Sequence, residues 1–215
     1  MVNKSLRECI YVWEFPVRLT HWVNVLAILT LAGTGFYIGN PFIRGSVDLM
    51  SWVRGVHRLA AYCFIASLAL RAYWSFAGND FANWRVLFPY LTGEGRRGMC
   101  RTFLYYTFIR REPPREVGHN PLAGVTYSLV VLLMLVEVLT GLALLSMIKG
   151  GWWSTAFGWV FLLLSPPIAR LVHHMGMWLL LGFAVHHVYS ALLMDAEEKN
   201  GLLASIFSGY KFKRV

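Results

Sequence analysis

From Leu19 to Ile43 the chain runs without a single Lys, Arg, Asp or Glu, long enough for the roughly 20 apolar residues with which a helix crosses a bilayer. Three more long apolar runs follow, over about 52–76, 120–148 and 168–194, the first of these interrupted by Arg71, the next holding Glu137, and the last holding Arg170 near its start. The third opens on Asn120-Pro121, a side-chain acceptor followed by a residue suited to the first helical position. Each run is too long and too uniformly apolar for a strand or a half-buried soluble helix. The pattern predicts an all-α fold, an integral membrane four-helix bundle, with residues 1–215 forming one transmembrane domain. Residues 150–167 are apolar too. Almost nothing separates them from the third run, their Gly and Trp content suits an interface, and Pro166-Pro167 closes them, so an amphipathic loop helix lying along the surface is expected there and not a fifth span.

Composition strengthens this reading: the 215 residues are 57% hydrophobic and 14% charged, with a mean hydropathy of +0.51, whereas soluble domains carry about a quarter charged residues. The formal net charge is +9. In a soluble protein that excess would point to nucleic acid, but here the cations lie in the polar segments between the spans, where they set topology and imply no nucleic-acid partner. Arg85, Arg96, Arg97, Arg101, Arg110, Arg111 and Arg115 crowd the segment 77–119, and Lys199, Lys211, Lys213 and Arg214 the tail. The positive-inside rule puts both segments, and both termini, on the cytoplasmic side, with connections 40–51 and 149–170 on the periplasmic side. The polar N-terminus carries Glu8 and Glu14, unlike a cleavable signal peptide, so the first run is expected to stay in the mature protein. Nine Trp, ten Tyr and fourteen Phe serve interfacial belts or the packing of a large flat cofactor equally well. Cys9, Cys63 and Cys100 form no CxxC or CxxCH spacing, which leaves a zinc site, a disulfide framework and thioether-linked haem without support.

Six of the seven histidines, His21, His57, His173, His174, His186 and His187, lie inside or at the ends of the spans. Ionisable groups are costly there and point to function, although any one of them taken alone suits a helix cap or a hydrogen bond equally well. Their joint placement says more. Non-covalent haem needs two neutral imidazoles approaching the iron from opposite sides, one from each of two facing helices at one depth. His21 starts the first span at the cytoplasmic side, and His57 starts the second at the periplasmic side. On the fourth span His173 and His187 are fourteen residues apart, nearly four turns, so both project from one face about 21 Å apart along the axis. The depth-matched pairs are therefore His57 with His173 and His21 with His187. His174 and His186 sit about 100° off that face and are ranked behind their neighbours as flanking groups, though a one-residue change of register would make either a ligand. Gly33, Gly35, Gly141, Gly176 and Gly182 leave room for a porphyrin face, although taken alone they speak more for close helix packing.

The segments YVWEFPVRLTHWVN and GTGFYIGNP, VHRLAAY and LRAYWSFAGN, GHNPLAG, HHMGMW, HHVYSALL and SGYKFKR together resemble the b-type cytochrome subunit of membrane-bound nickel-iron hydrogenases over nearly the whole chain. The resemblance implies four spans in the bacterial inner membrane and non-covalent haem b, two per chain. It also implies partners, namely the hydrogenase iron-sulfur small subunit and large catalytic subunit, with membrane quinone as electron acceptor and lipid around the spans. The family's haem-binding histidines match His21, His57, His173 and His187 here. In this role the chain is an electron-transfer subunit of a hydrogen:quinone oxidoreductase, with no catalytic residue of its own.

The cytochrome b subunits of formate dehydrogenases resemble the chain in histidine layout but less in motif. A haem-free membrane anchor, or a transporter whose histidines relay protons, is a third reading. A substrate pocket in the segment 77–119 has little in its favour, because no nucleophile–base set or phosphate loop occurs there; that segment reads as a docking or lipid-facing surface. Two residues keep double readings. Glu137 either passes protons or bonds a neighbouring helix, and Arg71 either meets a haem propionate or reaches to the cytoplasmic surface.

Overall fold

The computed structural model describes residues 7–42, 47–107, 109–110 and 121–214. The Asn120 cap, His119, Arg111 and Arg115 lie outside the described residues, as does the Ile43 end of the first predicted span.

Four helices are long and apolar enough to cross a membrane: α1 (Phe15–Gly39), α2 (Val47–Ala77), α5 (Pro121–Lys149) and α8 (Pro166–Glu198). They match the four predicted spans, but the boundaries of α1 and α8 move at both ends for identifiable reasons. α1 starts at Phe15 and not at Leu19, because Arg18 is accommodated inside the helix, its guanidinium donating to the Phe207 carbonyl. α1 stops at Gly39, where Asn40 and Pro41 follow, since proline disfavours helical backbone in the residue before it. Pro166 and Pro167 open α8, whereas the sequence reading had them close the segment before it. At the first helical positions proline loses no hydrogen bond that the helix needs. α8 then runs past the apolar stretch through Asp195, Glu197 and Glu198, and ends where Lys199 and Gly201 take positive φ, 50° and 77°.

No more than 17% of the most apolar window of any of these helices is buried. Leu26, Leu29, Leu129, Leu132 and Val185 are each more than half exposed. Apolar side chains turned outward on this scale need lipid as their solvent.

The segment 150–165 holds two short helices, α6 (Trp152–Phe157) and α7 (Val160–Leu163). Both are far below spanning length. Gly150 and Gly151, at φ 62° and 56°, break the backbone after α5. The segment after α2 is more ordered than its polar sequence suggested. It carries α3 (Trp84–Leu87), a 3-10 turn over Pro89–Leu91 and the fourteen-residue α4 (Gly93–Tyr106). Asn83 caps α3 by accepting from the Arg85 amide at 3.1 Å, and Thr92 caps α4 by accepting from Gly95 at 3.0 Å.

The chain divides into two compact units, one made of Met1–Trp22, Ser67–Leu129 and His186–Val215, the other of Val23–Ala66 and Val130–Val185. The first contains a feature that an all-α expectation missed: β1 (Arg7–Tyr11) and β2 (Tyr210–Arg214) pair antiparallel, with Cys9 opposite Phe212 and Ile10 opposite Lys211. Segments near the two ends of the chain thus pair with each other. Helix α9 (Leu202–Ser208) precedes β2, and Gly209 makes the turn between them at φ 91°, its carbonyl accepting from the Val12 and Trp13 amides. A Cβ at Gly209 would fall 2.7 Å from the Trp13 carbonyl oxygen, so both backbone sign and space demand glycine.

Val12, Trp13, Val17 and Ala82 form the core of this unit, with Ile10, Trp74 and Phe81 packed on it. The Glu14 carboxylate ties the pieces together, accepting from Trp74 Nε1 at 2.9 Å and from the Asn79 amide at 2.8 Å. Trp13 Nε1 donates to Ser205 at 3.0 Å. Lys211, only 4% exposed, lays its ammonium over the Trp13 ring at 5.4 Å. Burial lowers its pKa, and the Glu198 carboxylate opposes that shift.

Candidate functional site

In the second unit His57 projects from α2 and His173 from α8, their ring centroids 6.5 Å apart at an interplanar angle of 68°. Each ring is held through its Nδ1. The Thr34 hydroxyl on α1 lies 2.8 Å from Nδ1 of His57, and the Thr140 hydroxyl on α5 lies 3.0 Å from Nδ1 of His173. The direction of these bonds follows from what else the hydroxyls do. Thr34 donates its proton to the Thr30 carbonyl at 2.6 Å, and Thr140 donates to the Val136 carbonyl at 2.7 Å, the usual intrahelical bond of a threonine. With its proton given to the carbonyl, each oxygen offers a lone pair that suits an Nδ1 carrying the hydrogen, as do the backbone acceptors of Leu31 at His57 and of Glu137 at His173. Both imidazoles are then neutral with a bare Nε2 lone pair, the form in which histidine binds a metal. Neither threonine was singled out from sequence, because a Thr in an apolar helix ordinarily satisfies itself.

Glycines shape the space around these rings. A Cβ at Gly35 would meet His57 Cε1 at 3.7 Å and Met177 Sδ at 3.6 Å, and one at Gly141 would press on His173 Cε1 at 3.0 Å. At Gly176 it would fall on the Glu137 carboxylate. Gly33 and Gly182 have nothing within 4 Å, so they do not act as close-packing positions. The Glu137 Oε2 lies 3.2 Å from His173 Nδ1, which places this carboxylate against a histidine on the neighbouring helix. His174 is exposed and faces the Phe36 ring, 6.3 Å between centroids, with its Cε1 3.9 Å from where a Gly39 Cβ would be.

In the first unit His21 on α1 and His187 on α8 stand 6.3 Å apart between ring centroids at 52°. The Tyr127 ring lies 6.3 Å from His187, edge to face, and the Trp22 ring 5.2 Å from His21. Nδ1 of His21 is buried with no hydrogen-bond partner among the described residues. His186 is exposed. Arg71 turns inward: Nη2 donates to the Ala82 carbonyl at 3.1 Å, while Nη1 is buried and unpartnered among the described residues.

The two facing pairs are the two pairs that helical spacing selected, and in both the adjacent histidine of the doublet is the exposed one. Among the described residues no three His, Cys, Asp or Glu side chains gather as a metal-ion site. Two axial imidazoles suit an iron whose remaining ligands come from a macrocycle, and the glycine-lined rings with bare Nε2 atoms fit haem on that ground. Other quoted motif residues, Trp13, Glu14, Trp74, Gly78 and Asn79, prove to be the mutual anchors of the terminal unit, and a Cβ at Gly78 would lie 2.9 Å from the Glu14 Oε2. Cys9, Cys63 and Cys100 are exposed, unpaired thiols.

Residues 12–209 match the family described as prokaryotic cytochrome b561. A probable Ni/Fe-hydrogenase B-type cytochrome subunit of Rhizobium leguminosarum bv. viciae is 37% identical over 212 residues, covering 94% of this chain and 89% of that one. The protein of the same description in Cupriavidus necator is 37% identical over 218 residues, 97% of this chain and 89% of its own. The probable Ni/Fe-hydrogenase 1 B-type cytochrome subunit of Escherichia coli (strain K12) is 29% identical over 219 residues, 94% and 90% of the respective lengths.

Proposed function

Because this chain belongs to the prokaryotic cytochrome b561 family, we propose that it is the membrane cytochrome b subunit of a nickel-iron hydrogenase, carrying electrons from the enzyme's iron-sulfur small subunit to membrane quinone. The observation that carries this reading is the facing pair His57 and His173, 6.5 Å apart, each with Nδ1 committed to a threonine. His57 and His173 hold one haem b, and His21 and His187 hold the second. When bound, the haem supplies a one-electron iron couple inside the membrane.

The chain's own part is to hold, orient and insulate. Thr34 and Thr140 fix ring orientation and tautomer, each bond contributing about 1 kcal/mol net. Outer-shell partners of this kind change metal affinity roughly 10–100-fold when removed. Apolar helices exclude water and protons from the space between the rings. Electrons arrive at the His57/His173 level and depart to quinone from the His21/His187 level. Hydrogen oxidation releases two electrons and two protons; quinone takes two electrons and two protons to become quinol, the protons coming from the cytoplasmic side.

The protein sits in the bacterial inner membrane with both termini in the cytoplasm. Reporters fused after Arg111 and after Lys213 are both expected to register cytoplasm, following the cations of those segments; opposite locations would require an odd number of crossings and refute this topology.

An absorption spectrum of the purified chain tests the reading itself. Bis-histidine haem gives sharp bands on reduction with dithionite. A chain that purifies folded from haem-replete membranes with no such bands would be an anchor or a proton-relay transporter.

A further inference from the structure

Resting on the reading that His57 and His173 hold a haem, we propose that Glu137 is a positioning residue for that haem: its carboxylate shares the Nδ1 proton of His173, strengthens this one ligand, and holds the iron's reduction potential below the value that threonine-bonded histidines alone would give. Three observations lead there. The first is an asymmetry between the ligands. His57 has the Thr34 hydroxyl at 2.8 Å and the Leu31 backbone, and His173 has the matching Thr140 hydroxyl at 3.0 Å and the Glu137 backbone, but His173 Nδ1 has in addition Glu137 Oε2 at 3.2 Å.

The second is that Glu137 has nothing else to do. Its other oxygen, Oε1, is buried with no hydrogen-bond partner among the described residues. A carboxylate placed to tie α5 to α8 would have both oxygens paired, because an unpaired buried oxygen is costly. Among the described residues the polar partner of its side chain is His173. The third is that α8 makes room for it: Gly176, one turn after His173, offers no side chain, and a Cβ there would collide with Oε1.

The consequence follows from charge. A carboxylate accepting from the far nitrogen of a ligating imidazole raises the basicity of the ligating one. A more basic ligand, with a negative charge behind it when Glu137 is ionised, favours ferric over ferrous iron, and so lowers the potential. Placed at the level where electrons arrive, a lowered potential favours passing them on.

The test is a spectroelectrochemical titration of the full-length, haem-loaded chain and of its Glu137→Gln, Gly176→Ala and Thr34→Val variants. Glu137→Gln keeps the size and removes the charge. It is expected to raise the midpoint of one haem by about tenfold in ferric-to-ferrous preference, about 59 mV for one electron, with haem content and the other midpoint unchanged. Gly176→Ala, which pushes the carboxylate off His173, is expected to move the same haem in the same direction, and it decides alone should Glu137→Gln not assemble. Thr34→Val, which leaves the carboxylate in place, is expected to shift that midpoint less than either. A role confined to packing would change the amount of haem bound and not its potential. Full haem content with an unmoved midpoint in both Glu137→Gln and Gly176→Ala overturns the proposal and leaves the ligand assignment standing. Persistence of the low-potential haem in a His57→Ala/His173→Ala chain overturns the ligand assignment instead.

Discussion

In membranes carrying the hydrogenase complex with His187→Ala, hydrogen is expected to reduce the haem held by His57 and His173 while quinone stays oxidised; with His57→Ala, hydrogen is expected to reduce neither haem nor quinone. The difference rests on direction. The segments rich in arginine and lysine lie with His21 and His187 in one unit, and the cation-poor connections lie with His57 and His173 in the other. Under the proposed topology the positive-inside rule assigns the latter to the periplasmic side, the side from which the proposed iron-sulfur donor would deliver electrons. Fourteen residues of α8 separate His173 from His187, about 21 Å of helix, so loss of either level opens the chain of transfers. Quinol formation in both variants is expected to fall to that of membranes lacking this subunit, while hydrogen oxidation with a soluble dye continues. Normal quinone reduction in His187→Ala would place the quinone beside the periplasmic level.

The long helices were legible because lipid imposes a simple rule: with no water to bond the backbone, a span must be helical and must be apolar for its whole length. The same rule misplaced boundaries. It stops a span at Arg18 or at Asp195, whereas the helices run on past those charges, α1 beginning at Phe15 and α8 ending at Glu198. The histidine pairs were legible too, since a period of 3.6 residues converts sequence spacing into shared faces. That argument set His173 and His187 apart from their neighbours, and in the structure these two face His57 and His21 while His174 and His186 are exposed.

What escaped the sequence involves residues far apart. β1 and β2 are five residues each, lie at opposite ends of the chain, and have no hairpin turn between them. Even the alternation in Tyr210-Lys211-Phe212 misleads. It would put the aromatics inside, yet Lys211 is the buried residue and Tyr210 and Phe212 are 46% and 45% exposed, as suits aromatic side chains at a membrane interface. Thr34 and Thr140 escaped for a different reason. Each makes the intrahelical bond expected of any membrane threonine, and the lone pair it turns to a histidine on another helix leaves no trace in the spacing. Helix α4 was hidden by its charge, because the arginines that mark a cytoplasmic segment say nothing about whether it is ordered.

The central claim is that four histidines hold two haems in two specified pairs, and haem content per chain in ligand variants tests it most directly. Removing either axial imidazole leaves the iron one protein bond, so His57→Ala and His173→Ala are each expected to lose the same single haem, about half of the wild-type content. The double variant is expected to lose no more than either single, since the two residues act as one unit and their effects do not add. His21→Ala and His187→Ala are expected to lose the other haem in the same non-additive way, and His174→Ala and His186→Ala to retain both. Loss of both haems in the His57→Ala/His173→Ala double variant, when each single variant loses one, would show that the two histidines belong to different haems, and the account would be contradicted.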